Sequence, residues 1–121
     1  MKKYVTRLKD LAPYTPPGHS RTTNYRLLGP GPGGSERVEV VFGIIEFGGQ
    51  ADAHAHSSNE QGFFILEGRA LVAIGEEQET VGPNDFIFLP KGTPHKVVPL
   101  EGPPLKILIF YAPPIFRGVH S

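Results

Sequence analysis

The chain has 121 residues, with 12 Lys and Arg against 12 Asp and Glu, so it carries no net charge at pH 7. That length suits one domain with a single core, and the balanced charge gives no field to gather nucleic acid or an anionic membrane surface. The absence of cysteine excludes thiolate catalysis, cysteine-type zinc sites and disulfide scaffolds.

Residues 1–36 read as an N-terminal arm. Residues 1–11 suit a short strand or a helical turn. Proline and glycine then recur through residues 13–34 too often for long regular structure. Tyr25 to Leu28 is a possible edge strand within that arm. From Arg37 to Phe47 the chain is β-branched and aromatic, a strand expected to close at Gly48-Gly49. Further strands are expected over residues 62–66, 69–74, 79–81, 85–89, 95–98 and 105–111, each bounded by glycine, proline or an acidic turn. Residues 113–121 read as a tail. Short strands at about ten-residue spacing, with no helical period, predict an all-β sandwich or barrel over residues 37–112. No apolar run approaches the roughly 18 residues of a membrane span. The N-terminus lacks the apolar core of an export signal, so a cytoplasmic location is the default expectation.

The chemistry concentrates in three histidines. His54 and His56 are two apart, and residues two apart on a strand face the same way. Both imidazoles can therefore point at one place. His95, in the turn-forming context Pro90, Gly92, Pro94, supplies a third. An amide or carboxylate oxygen would complete a shell for a divalent transition metal, with Fe, Mn, Ni and Zn all suited to imidazole and oxygen donors. Glu60 and Gln61 compete for that role and must face opposite ways on a regular strand. Choosing Gln61 puts Phe63 and Ile65 inside; choosing Glu60 puts Gly62, Phe64 and Leu66 there. Three imidazoles and a neutral amide would leave the ion's charge uncompensated and favour an anionic ligand.

These residues together resemble the cupin superfamily. Gly48, five residues, His54-x-His56, four residues, Gln61, six residues, Gly68 is similar to its first motif, and Asn84 through Pro90, Gly92 and His95 is similar to its second. The resemblance covers residues 37–112. It implies a jelly-roll barrel, or double-stranded β-helix, with a metal near its mouth, and the spacing to Gly68 favours Gln61 over Glu60 as the fourth ligand. Departures from the pattern are Gln61 where Glu is usual, Asn84 where Gly often opens the motif, and Pro99 where Asn often follows the histidine. The resemblance brings no single reaction, because the superfamily spans dioxygenases, isomerases, lyases, decarboxylases and binding proteins.

The expectation is a metal-binding cupin acting on a small organic molecule, as a dioxygenase-like or isomerase/lyase-type enzyme. The alternative is a binding or sensing cupin without turnover. Phe63, Phe88 and Tyr111 are candidates for the pocket wall, and Glu60 for a position behind the ligands or a solvated turn. His19, Arg21 and Arg26 in the arm either approach the barrel mouth or belong to an arm that is exposed or packed against a partner subunit, the second being the expectation. Apolar residues on both faces of 62–66 and 105–111 predict a covered outer face, met most simply by a homodimer.

Overall fold

The computed structural model describes residues 4–31, 34–54 and 58–115, positions 51–54 by backbone alone. Eight antiparallel strands carry the fold: β1 His19–Leu28, β2 Glu39–His54, β3 Glu60–Glu67, β4 Ala70–Ile74, β5 Glu77–Val81, β6 Phe86–Leu89, β7 His95–Pro99 and β8 Leu105–Ala112. Ahead of them, Leu8–Asp10 makes one 3-10 turn, the helical one of the two outcomes open for that segment. Among the described residues no helix is long and apolar enough to cross a membrane.

The strand order β5-β4-β7-β2-β8-β3-β6, with β1 beside β2, makes β2 the hinge of the fold. Its first half pairs with β8 from Glu39↔Tyr111 to Ile45↔Leu105. Its last residues pair with β7 at Ala51↔Val97 and His54↔His95. One strand thus leaves the first layer and enters the second, as corner strands of packed sheets do. The strand does not close at Gly48-Gly49 as its sequence suggested; it bends there and continues. Gly48 has φ 92°, and a Cβ on Gly49 would overlap the Ser20 carbonyl of β1. The glycine pair permits close passage of two backbones at a corner, so it acts as a bend and not as a stop. Opposite it, Arg21 takes φ 49° where the β1–β2 register shifts, and its guanidinium donates to the Phe47 carbonyl at 3.2 Å.

β1 is the largest departure from expectation. A four-residue edge strand at residues 25–28 becomes a ten-residue strand beginning at His19. Backbone pairing to β2 and a Tyr14↔Asn24 bridge satisfy its polar groups, and its Thr and Tyr residues suit a pleated surface.

Alternation sets the interior. Val41 and Ile45 of β2, Phe63 and Ile65 of β3, Val72 of β4, Ile87 and Leu89 of β6, Val97 of β7 and Leu105, Ile107 and Ile109 of β8 form one buried cluster. Each such side chain contributes about 1.5–3 kcal/mol by leaving water. The outward residues Phe86, Phe88 and Phe110 are 57%, 53% and 36% exposed.

Candidate metal centre

Between the two layers the inward rows do not quite meet, and a cavity of about 40 Å3 remains. Its apolar lining comes from the core, including Phe63, Leu89 and Ile107; its polar lining is His19, Thr22, Asn24, Gln61, His95 and Tyr111. The polar groups come from β1, β3, β7 and β8, so the topology assembles them from distant parts of the chain.

Gln61 shares the inward face of β3 with Phe63 and Ile65, while Glu60 is exposed on the other. Among the described residues the buried Gln61 Oε1 atom has no hydrogen-bond partner. A buried amide oxygen in that state loses water without replacing it, which leaves it open to a ligand. His95, 5% exposed, opens β7. Its Nδ1 lies 3.3 Å from the Thr93 carbonyl, a contact that is favourable when Nδ1 carries the proton. That tautomer leaves the lone pair on Nε2, the arrangement by which backbone carbonyls orient metal-binding imidazoles.

The register sets His54 directly opposite His95 across β2 and β7; His54 is described by backbone alone, and His56 lies outside the described residues. Among the described residues, which leave out the first-motif histidine side chains, no group of three or more His, Cys, Asp or Glu side chains gathers. Of the expected wall residues, Phe63 and Tyr111 line the cavity. Phe88 does not: alternation along β6 sends Ile87 and Leu89 inward and leaves Phe88 on the outer surface beside Phe86, Phe110 and Glu60.

The family model of the cupin domain matches residues 41–111. The chain is a cupin. It is 35% identical over 78 residues to an uncharacterised protein of Methanocaldococcus jannaschii, across 64% of this chain and 62% of that protein. A Mycobacterium tuberculosis protein named as a β-D-galactosidase is 28% identical over 88 residues, 73% of this chain and 75% of its own. Among solved structures, the polyketide cyclase RemF of Streptomyces resistomycificus superposes with a TM-score of 0.77 at 26% identity, covering 93% of this chain and 85% of that one. The chain thus spans about three fifths of the Methanocaldococcus relative.

The cupin's donor set fits a divalent metal. Gln61 offers an otherwise unused amide oxygen and His95 a carbonyl-oriented imidazole, and both face one cavity. β1 adds His19, half-buried and lining the same cavity. This corrects the expectation of an exposed arm: the pairing His19↔Ala51 lays the arm along the corner of β2. Arg21 remains exposed, and Arg26 turns to Glu39 at 2.7 Å instead of to the cavity. Sequence reasoning did not single out Thr22 and Asn24. The available signal was the alternation from His19 through Thr22 to Asn24, broken by one residue at the Arg21 bulge. Tyr111 completes the wall. Burial, then the nearby Tyr14 and Glu39, push its phenol well above the usual range against the opposing pull of Arg26, so its proton stays on at neutral pH.

Proposed function

We propose that this cupin binds one divalent transition metal through His54, His56, Gln61 and His95 and acts as an enzyme on a small organic molecule. The observation that carries the reading is the buried Gln61 Oε1, without a hydrogen-bond partner among the described residues, in the same cavity as His95. A bound divalent ion supplies Lewis-acid polarisation of a ligand oxygen, or, if it is iron, redox chemistry. The chain's own residues do the rest. Phe63, Leu89 and Ile107 exclude water, Tyr111 offers a protonated hydroxyl, and His19 brings a further imidazole to the same space.

Isomerase, lyase or cyclase-type rearrangement is the better-supported reaction class. The likeness to a polyketide cyclase over most of both chains supports it, as does the neutral donor set, which keeps the ion strongly polarising. Dioxygenase chemistry is the rival within the same metal site. Ligand binding without turnover is favoured by one observation: no Asp, Glu, Lys or Arg lines the cavity among the described residues. Such a wall has no carboxylate or amine to move a proton.

The deciding experiment is elemental analysis of protein purified without chelator or affinity tag, beside His54→Ala and His95→Ala. Near-stoichiometric Fe, Mn, Ni or Zn in the parent, lost in both variants, is the expected result. Equal metal in all three, or none after reconstitution, overturns the metal reading. The homodimer belongs to the same proposal, through the exposed Phe86, Phe88 and Phe110. Sedimentation should give twice the 13.2 kDa chain mass, and Phe88→Glu should halve it.

A further inference from the structure

The wall that β1 gives the cavity has a chemical polarity of its own. Asn24 is 4% exposed, yet its Oδ1 is buried without a hydrogen-bond partner. That oxygen lies across β2 at its register partner Gly43, where an added Cβ would come within 3.0 Å of it and 3.4 Å of the Ile107 and Ile109 side chains. The missing side chain at position 43 is therefore part of what keeps room around the oxygen.

The backbone that carries the amide is pinned: Asn24 and Tyr14 exchange N–H to carbonyl hydrogen bonds at 2.8 and 2.9 Å. Arg26 in turn donates from Nε to Glu39 Oε2 at 2.7 Å and sits 4.5 Å from the Tyr14 ring centre. A chain of contacts from Glu39 through Arg26 and Tyr14 thus anchors the stretch of β1 that carries Asn24 in the cavity wall. Thr22, 3% exposed, spends its hydroxyl proton on the Ser20 carbonyl at 2.9 Å and so also presents lone pairs.

An acceptor needs a donor. A carboxylate brings none, and no Lys or Arg lines the cavity among the described residues, so an anionic group has no partner on the β1 wall itself. The volume, about 40 Å3, admits a hydroxyl-bearing end and leaves the body of a ligand toward the mouth. We infer that Asn24 is a specificity residue that accepts a hydrogen bond from a hydroxyl group of a small molecule. This rests on the proposed reading of the cavity as a ligand site, and it names the ligand's class: hydroxylated at the end that meets β1.

The test is a titration of the chelator-treated, 15N-labelled full chain with phenol, fluorobenzene and benzoate. Phenol and fluorobenzene share a shape and differ in the donor; benzoate carries the charge. Phenol is expected to shift the Asn24 side-chain amide resonances and to bind at least about tenfold more tightly than fluorobenzene, since sites built to bond a hydroxyl reject analogues lacking it. Benzoate is expected to leave the amide unmoved. Asn24→Ala should abolish the phenol preference. Equal binding of phenol and fluorobenzene overturns the inference. So does a benzoate shift as large as that of phenol, or no shift with any probe. The comparison within the parent chain decides the matter even if a variant fails to fold. Metal content is not what this titration reads, so failure of the metal proposal and failure of the hydroxyl preference are separate results.

Discussion

Two buried polar clusters lie on the inward face of the same strands, and the fold treats them oppositely. At Glu39, 2% exposed, Arg26 donates to Oε2 at 2.7 Å and the Ile115 backbone donates to Oε1 at 2.9 Å. Each carboxylate oxygen is met by the chain, and three distant segments are tied together. Across β8 from Glu39, in register with the same Tyr111, Gln61 leaves its Oε1 without a partner, and Asn24 does likewise on β1. Folded proteins pair nearly all buried polar groups. On the proposed reading, the closed cluster is architecture and the open one is reserved for a ligand.

Breaking the closed cluster should have the largest effect. Glu39→Ala strands the Arg26 guanidinium and the Ile115 N–H, and removing one member of a buried pair is much costlier than removing both. Arg26 keeps some solvent contact, its side chain being 21% exposed, so the expected loss is about 3 kcal/mol in urea denaturation. The double substitution Arg26→Met with Glu39→Leu should recover most of that. A loss below about 1 kcal/mol for Glu39→Ala would remove the contrast between the clusters.

The same cluster predicts an alkaline weakness. Tyr111 is pushed above its ordinary value of 10.0, chiefly by burial and then by Tyr14 and Glu39. The folded state therefore holds this proton more tightly than the unfolded state does. Stability is full below about pH 10 and falls as pH rises beyond it, by at most about 1.4 kcal/mol per unit for this group. Tyr111→Phe should flatten that decline in urea melts between pH 9 and 11. An unchanged slope would mean that the phenol is solvated in the folded state.

The closed cluster was the less legible of the two. His54, Gln61 and His95 stand in fixed spacings that announce a site, and period-2 alternation places Gln61 with Phe63. Glu39 and Arg26 carry no such signal. Their pairing depends on β1 lying along β2, and the prolines and glycines around residues 13–34 mask a strand held by its neighbour's backbone instead of its own propensity. The same blind spot hid His19, Thr22 and Asn24. Phe88 failed differently: the alternation of β6 was visible, but four residues, Phe86 to Leu89, are apolar on both faces, so the pattern alone could not say which was inward. Gly48-Gly49 looked like a strand end because a turn and a sheet-switching bend use the same residues.

For the open cluster the expected sign is reversed. Gln61→Met replaces an unsatisfied amide with an apolar side chain of similar length, and should leave chelator-treated protein no less stable, or stabilise it by about 1 kcal/mol. Metal retention after dialysis should fall at least about tenfold. A clear loss of stability would mean that the fold, not a ligand, uses that amide.

The smallest effect should come one residue away. Glu60 precedes Gln61 on β3 but is exposed on the opposite face, beside Phe86, Phe88 and Phe110. As a carboxylate it is the stronger metal donor of the two, so ligand chemistry alone would choose it; the pleat of β3 denies it the cavity. Glu60→Gln should change stability by no more than about 0.5 kcal/mol and leave metal content as it was. Loss of metal from Glu60→Gln with retention in Gln61→Met would show that β3 slips by one residue when the ion binds, carrying Phe63 and Ile65 out of the core. The buried positions of those two side chains, at 1% and 0% exposure, make that slip costly, which is why the proposal assigns the donor role to the neutral amide.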